Sequence, residues 1–203
     1  MTNPPTSAAN PAPFTGVRRV PDATNEPIKD YAPGSPEKAE LKAELKRIAG
    51  ERIEIPLVIG GKEIRTKETA QAVMPHDHGH VLADVSRAEP KHVEQAIKAS
   101  AEAAKEWGRW SWADRSAVFL RAAELLATSW RQTINAATML NQSKTAYQAE
   151  IDAAVELIDF WRFNLQFAQG IVAAGGVDQL PVARPAERQA ASAAAPVAVG
   201  VRD

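Results

Sequence analysis

The sequence contains no cysteine. That absence removes disulfides, thiolate metal sites and a cysteine nucleophile from this chain. No apolar run is long enough to cross a bilayer. The charge is nearly balanced, with 24 basic and 25 acidic residues and a net charge of −1. Neither nucleic acid nor an anionic membrane is therefore expected as a partner. No G-x-G-x-x-G pattern exists to cradle a dinucleotide, because Gly60-Gly61 and Gly175-Gly176 are lone doublets. The first residues lack the apolar core of a signal peptide. Asp22 and Glu26 are unlike an acid-poor mitochondrial presequence, so a cytoplasmic location is expected. What remains is a 203-residue chain with 45% hydrophobic and 24% charged residues, the balance of a globular domain with tails.

Three regions follow from composition. Residues 1–34 are rich in proline among small polar residues and read as a disordered arm. Residues 35–169 carry the periodic patterns of a folded unit. Residues 170–203 are rich in Ala, Val, Pro and Arg without a period, and read as a disordered tail.

Inside the folded unit, Ser35 and Pro36 open a helix that Gly50 can end. Ile55–Ile59 reads as a strand, Gly60-Gly61 as a turn, and Lys62–Arg65 as the returning strand. Ala70–Met74 and His80–Ser86 read as two more strands. Between them, His76, His78 and His80 suggest a metal by composition. The absence of a second ligand cluster favours a plain turn, with Gly79 at a positive φ. A helix runs over Pro90–Trp107 with Val93, Ile97, Ala101 and Ala104 on its core side. Ser111 and Asp114 start another, to about Ser129, whose stripe is Val118, Ala122, Leu125 and Leu126. A further helix covers about Arg131–Asn141. Trp107, Trp110 and Trp112 are read as packing aromatics at helix ends.

The longest helical stretch is Lys144–Ala168. Ile151, Ala154, Ile158, Trp161 and Leu165 share one face at 3.6 residues per turn. Asp152, Glu156 and Asp159 lie opposite, together with Phe160, Phe163 and Phe167. Apolar residues on both sides imply neighbours on both sides. Arg162 falls inside the apolar arc, where an ion pair or a snorkelling stem is expected.

Several of these stretches resemble the L-glutamate γ-semialdehyde (1-pyrroline-5-carboxylate) dehydrogenase branch of the aldehyde dehydrogenases. The most specific is SKTAYQAEIDAAVELIDFWRFN, Ser143–Asn164. NEPIKDYAPGSPEKAEL, Asn25–Leu41, resembles the same branch. The strand pair with its Pro- and His-containing turn resembles the superfamily, as do Trp107, Asp114-Arg115 and Phe119–Leu126. The resemblance covers about residues 25–169 and stops at the tail, which reads as out-of-frame translation or another truncating event.

The resemblance implies an α/β aldehyde dehydrogenase-like fold. This N-terminal part is expected to be mostly α, with a small antiparallel strand group near 55–86. It implies NAD as cofactor of the intact enzyme, a small aldehyde as substrate and a homo-oligomer. The implied reaction is oxidation of glutamate semialdehyde to glutamate in proline breakdown. It also implies one substrate-binding residue: Glu156, a carboxylate facing the aldehyde tunnel and suited to the substrate's ammonium group. No catalytic, cofactor-binding or metal-binding residue is assigned. The family's thiolate has no counterpart here, so the chain by itself is expected to be inactive. A non-catalytic helical interaction module is the alternative, resting on the aromatic side of the long helix.

Overall fold

The structure is a computed structural model that describes residues 19–173. Helix α1 spans Pro36–Ala49, with Ser35 capping through a bond from the Lys38 N–H and proline at the first turn. Three short strands follow: β1 (Ile53–Ile55), β2 (Leu57–Ile59) and β3 (Lys62–Ile64). Two longer ones are β4 (Thr69–Met74) and β5 (Asp77–Ser86). Then come α2 (Pro90–Trp107), α3 (Trp112–Ala127) and α4 (Arg131–Gln142). The last helix begins as α5 (Ala146–Ala149), passes through a π-helical segment (Glu150–Val155) and continues as α6 (Glu156–Ala173).

The helices at 36–49 and 90–107 have the expected bounds, because their start signals are local. Pro36 and Pro90 have no N–H to lose at a helix start. The expected strand 55–59 is divided. Pro56 cannot donate to a ladder, and the two halves join different sheets. β1 pairs parallel with β5, Ile53 opposite Ala83 and Ile55 opposite Val85. β4 pairs antiparallel with β5, giving the order β1-β5-β4. The strand group is thus mixed, with one parallel pair where only antiparallel pairing was expected. β2 and β3 form a separate hairpin whose Gly60 and Gly61 have φ of 58° and 75°. Positive φ at both central residues matches the right-handed twist of a two-residue hairpin.

Gly79 does not supply a positive φ; it lies within β5, and the turn is made by Pro75 and His76. β5 starts three residues earlier than expected for that reason.

The core has three patches. Tyr31, Leu41 and Ala136 join the arm, α1 and α4. Met74, Leu82 and Leu140 join the sheet to α4. Ala123, Leu126 and Ile158 join α3 to α6. Val118, expected in the α3 stripe, is 47% exposed. The expected core face of α2 is also uncovered, with Val93 53% and Ile97 65% exposed. Its period is real, but among the described residues its main neighbour is the short β2 strand.

The arm requires the largest correction. Residues 19–34 are not loose; they lie along α6 and α4. Their backbone N–H groups at Val20, Ala23, Glu26 and Lys29 donate to the side chains of Gln169, Gln166, Asp159 and Glu150. A donor every third residue is the repeat of an extended polyproline-type chain. Apolar periodicity cannot reveal such a segment, because polar bonds to a helix hold it. Residues 1–18 and 174–203 lie outside the described residues, and with them most of the expected tail.

Candidate functional site

Glu156 begins α6, and its side chain is exposed. It lines a surface cleft of about 360 Å³ between α4 and the start of α6. Thr138 and Gln142 come from α4; Lys144, Asp152, Leu157 and Phe160 come from the segment around Glu156. Lys144 Nζ donates to Asp152 Oδ2 at 2.7 Å. Asp152 is therefore neutralised by a near neighbour. The Glu156 side chain makes no hydrogen bond or ion pair among the described residues, and Phe160 beside it is 59% exposed. An exposed carboxylate on a part-apolar wall can attract an ammonium group without first giving up an internal partner.

The other members of the acidic face have different duties. Asp159 receives the Asn25 side chain and the Glu26 N–H, both at 2.7 Å. Arg162 makes the ion pair expected of it, at 2.7 Å to Glu26. The three histidines do not converge. His76 Nδ1 lies 3.0 Å from Ser143 Oγ, and His80 Nε2 lies 2.8 Å from the Ala49 carbonyl. No metal-binding group of three such side chains occurs among the described residues. Trp107 packs against Trp110 and Phe119, with ring centroids 5.2 and 6.4 Å apart.

The same two elements, α4 and the π segment, also carry a buried polar cluster that periodicity alone does not expose. Glu150 and Arg131 are 0% and 1% exposed and form an ion pair through Arg131 Nη2, with Nε 3.2 Å from the same oxygen. Arg131 also reaches Glu26 and donates to the Pro27 carbonyl at 2.7 Å. Tyr31 Oη and Asn135 Nδ2 each donate to Glu150 Oε2 at 2.8 Å, and the Lys29 N–H donates to Oε1. Burial pushes the Glu150 carboxyl up, but the bonds from Arg131, Lys29 and Tyr31 outweigh it and hold it below the usual range. Burial pulls the Arg131 guanidinium down, and its bonds to Glu150 and Glu26 more than restore it. Burial first, then the bond to Glu150, pushes the Tyr31 phenol up.

A dinucleotide site needs a glycine turn leading from a strand into a helix. Among the described residues the positive-φ glycines are Gly34, Gly60 and Gly61. The last two join strand to strand, so these residues do not fit NAD.

Comparison with known proteins gives the wider context. The sequence matches the aldehyde dehydrogenase family over residues 63–201. That span includes most of the tail set apart by composition. Delta-1-pyrroline-5-carboxylate dehydrogenase of Agaricus bisporus is 42% identical over 156 residues, 76% of this chain and 29% of that protein. The mitochondrial enzyme of that name from Homo sapiens is 44% identical over 144 residues, 71% of this chain and 26% of that protein. The crystal structure of the Mycobacterium tuberculosis enzyme bound with NAD superposes with a TM-score of 0.76 at 44% identity. It covers 85% of this chain and 31% of that one. The chain thus spans about three tenths of the length of the curated relatives it matches. With the family matched over more than half its residues, the chain belongs to the aldehyde dehydrogenase family.

Proposed function

We propose that this chain is the N-terminal part of an NAD-dependent L-glutamate γ-semialdehyde dehydrogenase, and that Glu156 receives the substrate's ammonium group. The whole enzyme oxidises the semialdehyde to glutamate in proline breakdown. NAD and the aldehyde belong to the complete enzyme, which we take to be a cytoplasmic homo-oligomer. The observation that carries the reading is the cleft: among the described residues the Glu156 carboxylate has no side-chain partner there, while Lys144 occupies Asp152. The substrate offers an ammonium group about four bonds from its aldehyde carbon, and a carboxylate on a partly apolar wall favours that charge over a neutral aldehyde.

The 203-residue chain alone has no thiolate to attack an aldehyde, because it has no cysteine. Its own contribution is to receive and orient. The boundary between family sequence and tail near residue 169 remains part of this proposal. The alternative, a non-catalytic interaction module, draws on Phe160, Phe167 and Ile171, which are exposed along α6.

The test is a hybrid enzyme in which residues 19–169 replace the matching part of the Mycobacterium tuberculosis relative. The hybrid is expected to oxidise glutamate semialdehyde with NAD. Glu156→Gln is expected to raise KM for that substrate about tenfold, the worth of one charge-assisted contact of about 1.4 kcal/mol. The KM of a neutral aliphatic aldehyde is expected to stay put. Equal effects on both substrates would remove Glu156 from the proposed role.

A further inference from the structure

Glu150, the first residue of the π-helical segment Glu150–Val155, and Ile158, beyond its end, are both fully buried, each at 0% exposure. They are eight residues apart. In an unbroken α-helix eight residues advance the phase about 80° past two full turns, so the two would sit at the two edges of one apolar arc, and the buried Val155 would lie about 140° from Glu150, outside it. One extra residue taken up by a wide turn removes about 100° of that advance and brings them to within about 20°. The burial on either side agrees: Ala154 and Val155 are both buried inside the segment, and Leu165 continues the phase of Ile158. Each side of the segment is tied to a different body. Glu150 is tied to Arg131, Asn135 and Tyr31 on α4 and the arm. Ile158 is tied to Ala123 and Leu126 on α3.

Glu156 lies between these two anchors, at the first residue after the π segment. We infer that Glu150 is a positioning residue: its buried carboxylate holds the π turn open, and the π turn aims Glu156 and Phe160 into the cleft. Without that hold, the segment relaxes to the better hydrogen-bonded α form, and α6 turns by about 100° relative to α4. The wide turn is not favoured for itself, and among the described residues the groups fully buried at its start are Ala149, the Glu150 carboxylate, Arg131 and Asn135. The inference rests on the reading of Glu156 as the ammonium-binding carboxylate for its functional meaning, though not for its geometry.

The cysteine-free chain permits a direct test. Gln142→Cys and Phe160→Cys place the only two thiols on opposite walls of the cleft, and both positions are exposed. Spin labels at these thiols report the rotation of α6 against α4. Glu150→Ala is expected to shift the main distance by roughly 5–8 Å, the chord of a 100° turn at side-chain radius. Glu150→Gln, which keeps an acceptor for Arg131 and Tyr31, is expected to shift it less. Deleting Ala153, which makes no side-chain hydrogen bond, removes the extra residue. That deletion is expected to leave the parent distance unchanged, alone or combined with Glu150→Ala. A simple loss of stability would not be corrected by shortening the helix.

A folded Glu150→Ala chain with the parent distance would overturn the inference. Should Glu150→Ala fail to fold by circular dichroism, the Ala153 deletion decides alone: a shifted distance or an unfolded chain overturns it. The hybrid enzyme keeps the two proposals apart. A distance shift with no KM effect at Glu156 would sink the substrate reading and leave the positioning role standing.

Discussion

Arg131 and Glu150 are nineteen residues apart in sequence and form a fully buried ion pair in which Arg131 also spans to Glu26. The pair joins three pieces of chain that share no local signal: the arm, the start of α4 and the start of the π segment. Taking two charges out of water is costly, and the cluster persists because hydrogen bonds from Tyr31, Asn135 and the Lys29 backbone accompany the attraction.

Removing one partner should therefore be severe. Arg131→Ala leaves Glu150 buried beside unmatched donors and is expected to destabilise the chain by about 3–5 kcal/mol. Arg131→Lys keeps the charge without the fork that reaches Glu150, Glu26 and Pro27 together, and should recover less than half of that. Urea unfolding followed by tryptophan fluorescence measures both. A loss below 1 kcal/mol for Arg131→Ala would mean the cluster is not stabilising.

Acid should act through Glu150. Its folded value lies below the ordinary carboxylate range, so the unfolded chain binds the proton more readily. The stability it contributes is present above the unfolded value of about 4.3 and is lost as pH falls through the lower folded value. The melting temperature should drop in that acid window, and Glu150→Gln should flatten that part of the profile while lowering stability at neutral pH. An unchanged acid slope in the variant would place the effect elsewhere.

The hairpin offers a local check. Gly61 has φ of 75° and open space where a Cβ would sit, so Gly61→Ala tests backbone conformation without a clash. The expected cost is about 1–2 kcal/mol, from the left-handed conformation alone. Because β2 and β3 form their own two-stranded unit, the loss should appear as faster amide exchange at Leu57–Ile64. Exchange that speeds up equally across α1 and α4 would contradict that assignment.

Activity should be absent from the 203-residue chain. Purified and mixed with NAD and glutamate semialdehyde, it should show no reduction of NAD above the blank. A hydroxyl without an activating base is a far weaker nucleophile than a thiolate near neutral pH, so serine does not substitute. Turnover abolished by Glu156→Ala would show that the missing thiolate is not required.

The sequence by itself determined the elements whose signals are local. Ser35-Pro36 and Ser111-Trp112 begin helices, and Gly60-Gly61 closes a hairpin, because capping atoms and positive φ act within a few residues. The blocks at Asn25–Leu41 and Ser143–Asn164 also placed the family. Tertiary structure decided the rest. Whether Val93 and Ile97 find a core depends on which surfaces are near, and an amphipathic period does not state that. The pairing of β1 with β5 depends on residues thirty apart, such as Ile53 and Ala83, meeting at one edge. Above all, the packed segment 19–34, the Arg131–Glu150 pair and the π turn depend on one another. The arm has no apolar face to announce it, the charges are stable only where their donors converge, and the extra residue in the helix is favoured only when both its ends are held.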